Sequence, residues 1–171
     1  VVPDMLNFAK CVTNGVVPMG GVVCREGIYE AIMSVPTPAH VIEFSHGYTY
    51  SGHPVACAAA VATMKLLADD ALFARAGHMG PVLGHAVHSA IRGLPHVVGI
   101  RSLGLAAAVE LSPSDKGAGQ RGYAVFLDCL KHGVLVRSAG DNLVLAPAYV
   151  VEKPQIEQMV DVLAQAIKKQ A

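Results

Sequence analysis

Between Pro54 and Leu67 almost every residue is apolar or small, with Val55, Ala58, Ala59, Val61, Ala62, Met64, Leu66 and Leu67 distributed around all sides of a helix. A helix without a polar face is buried on most of its sides, so the chain must fold around this segment or bring it to a partner. Pro54 suits its first turn, where a missing N–H is tolerated. The composition agrees. Apolar residues make up 53% against 15% charged, far from the polar, charged balance of chains that stay disordered. A length of 171 residues matches one domain of ordinary size, or a small domain with part of a neighbour.

Thirteen basic residues balance thirteen acidic ones, so no overall field steers the chain toward phosphate backbones or anionic lipids. Neither nucleic acid nor a membrane is expected as a partner. Every apolar run is broken by Gly, Pro, His or a charge before it reaches bilayer length. Cys11, Cys24, Cys57 and Cys129 form no C-x-x-C pair and follow no secretory signal, which points to reduced thiols and a cytoplasmic setting. The opening Val1-Val2-Pro3-Asp4 reads as a start inside a longer chain, so a fragment is expected.

Along the chain, Val16 to Cys24 reads as a turn leading into a buried strand. Gly27 to Ala31 suggests a helical turn, and Pro36-Thr37-Pro38 starts a loop that runs to His53. A second helical period carries Leu72, Ala76, Met79, Leu83, Ala86, Ala90 and Ile91, with Pro81 and three glycines predicting a kink or a split. His96–Ser102 and Leu105–Leu111 read as strands joined near Gly104, and Arg121–Lys131 as a helix ended by Gly133. Val134–Arg137 and Asn142–Leu145 flank Ser138-Ala139-Gly140-Asp141 as a hairpin. A last helix, opened by Pro154, shows Ile156, Met159, Val160, Leu163 and Ile167 as its apolar stripe. Everything after about residue 70 suggests a compact α/β unit, and the earlier part the edge of a larger, mostly parallel α/β domain.

Motifs for nucleotides (G-x-G-x-x-G, G-x-x-x-x-G-K-S/T), zinc proteolysis (H-E-x-x-H) and serine hydrolysis (G-x-S-x-G) are absent. None of the eight histidines has a helical partner at i+4 with a carboxylate beside it, and most read as surface or satisfied core residues. Three segments carry chemistry, and each has a plainer reading. In Phe8-Ala9-Lys10-Cys11-Val12-Thr13-Asn14-Gly15, one lysine stands among apolar and small residues. It reads as an exposed loop lysine or as a Schiff-base lysine, which needs a setting that leaves its amine neutral near neutral pH. Glu43 to Pro54 is a hydroxyl-rich, glycine-interrupted loop feeding a helix, suited to capping or to gripping a phosphate. Arg137, at the end of an apolar strand, reads either as a bidentate carboxylate ligand or as an exposed arginine paired with Asp141.

Taken together, the order and spacing of these segments resemble the class III aminotransferases of the fold type I pyridoxal-phosphate enzymes. The likeness is strongest to those that use omega-amino acids with pyruvate. It is carried by Ala9-Lys10, Val12-Thr13-Asn14-Gly15, Pro18-Met19-Gly20, Pro36-Thr37-Pro38, His46-Gly47-Tyr48-Thr49-Tyr50-Ser51 and His53-Pro54-Val55-Ala56-Cys57-Ala58-Ala59, and it runs from Pro3 to the final helix.

The resemblance implies an α/β fold in which residues 1–68 end the large cofactor-binding domain and residues 69–171 form the small carboxy-terminal domain. Lys10 would hold pyridoxal 5′-phosphate covalently and act as the catalytic base. Thr49 would bind the cofactor's phosphate in the neighbouring subunit's site, and Arg137 would bind the substrate carboxylate. The enzyme would be a homodimer or a dimer of dimers, moving an amino group from a β-alanine-like donor to pyruvate. Donors such as 4-aminobutyrate, taurine or an aromatic amine remain open alternatives, as does a non-catalytic assembly or binding module. The family's remaining cofactor ligands lie upstream of these motifs, so the 171 residues by themselves are expected to be inactive. Cys11 departs from the pattern, since glycine or an amide is expected beside the lysine.

Overall fold

The computed structural model describes residues 1–41 and 46–170. The chain divides into two units, Val1–Asp70 and Ala71–Ala171.

In the first unit, β1 (Met5–Ala9) pairs antiparallel with β2 (Gly20–Cys24), with Met5 opposite Cys24 and Ala9 opposite Gly20. Gly21 stands opposite Phe8 and leaves room for its ring. A Cβ at Gly21 would lie 2.5 Å from the ring's Cζ. A 3-10 turn, Lys10–Thr13, follows β1 directly. Thr13 is buried and donates from its hydroxyl to the Val17 carbonyl at 2.6 Å, closing the loop that Asn14 and Gly15 turn with positive φ. Helix α1 (Glu26–Met33) comes next.

Helix α2 (Pro54–Asp69) forms where the apolar run predicts it and packs against the Lys10–Thr13 turn. Its burial differs from the expectation. Only Ala56, Ala60 and Leu67 are buried, while Val55, Val61, Met64 and Leu66 are exposed. Strand β2 likewise leaves Val22 and Val23 exposed rather than buried. The cause is common to both: within this unit a two-stranded ribbon, one short turn and the eight-residue α1 are too little structure to cover helix and strand on every side.

The second unit is a four-stranded antiparallel sheet with helices against one face. Its strands are β3 (Val97–Leu103), β4 (Ala106–Leu111), β5 (Arg137–Ala139) and β6 (Asn142–Leu145), in the order β3-β4-β6-β5. Period-two alternation sorts the faces. Ala107, Val109 and Leu111 of β4 and Leu143 and Leu145 of β6 are buried beneath α3 (Leu72–Ile91), α4 (Gln120–Lys131) and α5 (Lys153–Lys168). The opposite face carries the cross-strand row Arg101, Ala108, Val144 and Arg137.

Helix α3 runs unbroken through Pro81, so the pattern does not split there. Tertiary packing outweighs the lost hydrogen bond. Gly80 and Gly84, one turn apart, bring the helix close to the sheet, since a Cβ would stand 2.8 Å from the Gly104 backbone and 3.0 Å from Ser102 Oγ, respectively. The guanidinium of Arg75 donates to the carbonyls of Tyr149 and Val151 at 3.1 and 2.8 Å, fastening α3 to the approach to α5. There Glu152 and Gln155 form a capping box around the helix start.

The β5–β6 hairpin is displaced from its expected position. Arg137 opens β5 instead of ending a Val134–Arg137 strand, and the turn is the two-residue Gly140-Asp141. Val134 and Val136 are buried core residues outside the ladder. With φ at +61°, Gly140 supplies the left-handed first residue of the turn.

Helices α4 and α5 are joined at the surface by Lys169, whose Nζ donates to both carboxylate oxygens of Asp128 at 2.8 and 3.1 Å. That hydrogen bond, reinforced by the lysine's charge, holds the Asp128 carboxyl below its ordinary value of 3.8, against a smaller opposing effect of burial. A carboxyl that titrates lower when folded stabilises the fold at every pH above its ordinary value. The contribution disappears as pH falls through the folded value. Asp128→Asn is therefore expected to lower stability by about 0.5–1 kcal/mol at neutral pH and to match the parent in strong acid, as read from urea midpoints at the two pH values. Next to it, the Cys129 thiol is fully buried, and burial first and the Asp128 charge second push it up to about 11.

Candidate active site

Lys10 follows the last residue of β1 and begins the 3-10 turn with φ at +59°. Side chains other than glycine adopt this left-handed region at a cost of roughly 1–3 kcal/mol, and such residues concentrate at functional sites. Ala9, Lys10, Cys11, Thr13 to Gly15 and Val17 to Met19 line a hollow of about 500 Å³. The size falls within the roughly 300–1,000 Å³ typical of small-molecule sites. Lys10 is exposed, so the described residues supply only part of the apolar enclosure that a neutral amine requires.

Val17, Pro18 and Met19 are also one wall of a second hollow of about 530 Å³, completed by Gly20, Tyr48 and Tyr50 to His53 of the following loop, and Ala56 and Cys57 of α2. In that loop the Tyr48 N–H donates to Ser51 Oγ at 2.8 Å and the Ser51 N–H to the Tyr48 carbonyl at 2.9 Å, a reciprocal tie that sets the turn. Tyr48 and Tyr50 are 82% and 79% exposed, and Thr49 between them is exposed as well. Thr49 lines neither hollow. His53 Nδ1 is buried and, among the described residues, has no hydrogen-bond partner. Glu43, Phe44 and Ser45, the start of this loop in the sequence reading, lie outside the described residues.

In the second unit, Arg137 sits on the sheet face turned away from the helices and is exposed. The chain has six arginines. Arg25 pairs with Asp4, Arg75 with main-chain carbonyls, Arg92 with His88, Arg101 with Asn142 and Arg121 with Ser112 and Pro113. Among the described residues Arg137 alone has no such partner. The alternative reading, a pairing with Asp141, does not occur. Asp141 instead accepts hydrogen bonds from the N–H groups of Gly119 and Gly122 at 2.6 and 3.0 Å.

Lys10, Thr49 and Arg137 thus share one property: each exposes its functional group, and none is committed to a partner among the described residues. No His, Cys, Asp or Glu cluster able to hold a metal occurs among the described residues. None of their helices is long and apolar enough to cross a membrane.

The model of the class III aminotransferase family matches residues 1–167. The chain belongs to that family, whose cofactor is pyridoxal 5′-phosphate. It is 38% identical over 167 residues to the beta-alanine–pyruvate aminotransferase of Pseudomonas aeruginosa, a match covering 98% of this chain and 37% of that protein. It is also 32% identical over 172 residues to the chloroplastic gamma aminobutyrate transaminase 3 of Solanum lycopersicum, covering 97% of this chain and 32% of that one. Among solved structures, the PLP-bound amine transaminase of an uncultivated Pseudomonas species superposes with a TM-score of 0.89 at 30% identity, over 100% of this chain and 39% of that one. The fold is that of the fold type I transaminases, and the chain spans well under half the length of these relatives.

Proposed function

We propose that the protein transfers the amino group of a β-alanine-like omega-amino acid or amine to pyruvate, releasing alanine, with pyridoxal phosphate attached at Lys10. Residues 1–68 are read as the end of the large domain and residues 69–171 as the small domain. The carrying observation is the conformation of Lys10: an exposed lysine in strained, left-handed backbone at the edge of a small-molecule-sized hollow, in a chain that belongs to this family.

Pyridoxal phosphate, when bound, supplies the electron sink that allows a proton to leave the carbon bearing the amino group. Lys10 Nζ would hold the cofactor covalently and, once freed by the donor amine, would serve as the base that moves the proton. Arg137 takes the substrate carboxylate through two parallel N–H donors. Swinging aside, it would admit amines that lack a nearby carboxylate. The Thr49 hydroxyl would donate to the cofactor's phosphate in the neighbouring subunit of a homodimer, a role that suits its exposed place between two exposed tyrosines.

A second donor class, 4-aminobutyrate, is favoured by the 32% identity to the tomato transaminase. The two separate by assay: with pyruvate as acceptor, the full-length holoenzyme is expected to form alanine faster from β-alanine than from 4-aminobutyrate, and the reverse order would favour the second donor. Arg137→Ala is expected to raise KM for β-alanine by about 10- to 100-fold, the loss of a charge-assisted pair, as initial rates against substrate concentration would show.

A further inference from the structure

The start of α4 and the turn of the β5–β6 hairpin are in direct contact, and one carboxylate joins them. Asp141 Oδ2 accepts from the Gly119 N–H at 2.6 Å and Oδ1 from the Gly122 N–H at 3.0 Å. Those donors belong to the first turn of a helix, where N–H groups lack intrahelical partners and the helix dipole favours a negative charge. The contact is also tight in shape. A Cβ at Gly122 would stand 2.3 Å from the Gly140 carbonyl oxygen and 2.9 Å from Asp141 Cα, so only glycine lets the helix meet the turn at this distance.

The consequence falls on Arg137. It begins β5, a strand of three residues at the edge of the sheet, bonded on one side only, to β6. Such a strand has little ladder to hold it, and the docked turn supplies a second anchor, three residues past the arginine. The same hydrogen bonds commit the carboxylate nearest to Arg137 in sequence to the helix, and the guanidinium has no counter-ion among the described residues.

We propose that Asp141 is a positioning residue for carboxylate recognition: by bridging the α4 N-terminus and the hairpin turn, it fixes the strand that presents Arg137 and is itself withdrawn as a competitor for it. This inference rests on the reading of Arg137 as the carboxylate ligand. The test uses the full-length holoenzyme with Asp141→Ala, Asp141→Asn and Arg137→Ala. Two quantities are measured: KM and kcat for β-alanine, and competitive inhibition by propionate, a carboxylate without a reacting amine.

Asp141→Ala is expected to raise both the β-alanine KM and the propionate inhibition constant about tenfold, the effect of losing hydrogen bonds to a charged group, with kcat changed far less. Asp141→Asn, which keeps one acceptor oxygen, falls between it and the parent and serves in its place if the alanine variant does not fold. An unchanged propionate constant in the Asp141 variants beside a raised one in Arg137→Ala would overturn the proposal while leaving Arg137's role intact. A loss of kcat with no change in carboxylate binding would overturn it equally, by marking Asp141 as a fold residue only. Should Arg137→Ala leave propionate binding untouched, the reading of Arg137 fails first, and this inference fails with it.

Discussion

Lys10→Ala in the full-length enzyme is expected to reduce transamination by about 10³-fold or more, the scale of removing a positioned proton carrier, while the protein still folds. Two roles end together. The substitution removes the amine that holds the cofactor and the base that moves the proton. Lys10→Gly sharpens the point, because glycine adopts the left-handed region without the side-chain penalty. That variant is expected to gain about 1 kcal/mol of stability and to be as inactive as alanine. A residue whose replacement by glycine stabilises the fold and abolishes activity is kept for chemistry, and parallel melting and rate measurements on both variants would show that split.

The largest expected effect on stability lies in the second unit. Leu163 on α5 is fully buried within the cluster that includes Leu83 and Val87 of α3, Val125 of α4 and Leu143 of β6. Truncating a leucine in such a place removes its transfer energy and leaves a cavity that neighbours fill only in part, costing about 2–5 kcal/mol. Leu163→Ala is thus expected to lower hydrogen-exchange protection of the α5 and β6 amides by about two orders of magnitude, taking roughly 1.4 kcal/mol per tenfold change. Leu135→Ala, at a position 74% exposed, should leave protection within about threefold, as surface changes of about 0.5 kcal/mol do.

Most helices were legible because their signal is local. The apolar periods of α3 and α5 and the prolines at the starts of α2 and α5 lie where the helices begin and pack. What sequence periodicity missed depends on contacts distant along the chain. Strand β1 is five residues long and takes its identity from pairing with β2. The continuity of α3 through Pro81 follows from the close seat of Gly80 against Gly104, which no helical pattern reveals. Arg137's place at the start of β5 follows from the Gly140-Asp141 turn, where a four-residue turn had been the expectation.

The candidate site divides along the same line. Lys10, Thr49 and Arg137 were singled out because residue type and order carry the family resemblance, and the structure adds that all three are exposed and without a partner among the described residues. Their roles stay with the proposal. Pairing of Asp141 with Arg137 was the plainer of two readings open to the sequence, and sequence proximity favours it; the structure gives Asp141 to α4 instead. A Gly-x-x-Gly at the start of α4 facing a Gly-Asp turn is the signal that would have pointed elsewhere, and it is visible only once the two segments are known to touch.

The most direct measurement is to incubate the full-length protein with pyridoxal phosphate, reduce it with borohydride and map the modified peptide by mass. A single pyridoxyl group on the side chain of Lys10 is the result expected here. Its appearance on any other lysine, or full turnover in a protein that traps none, would contradict the assignment.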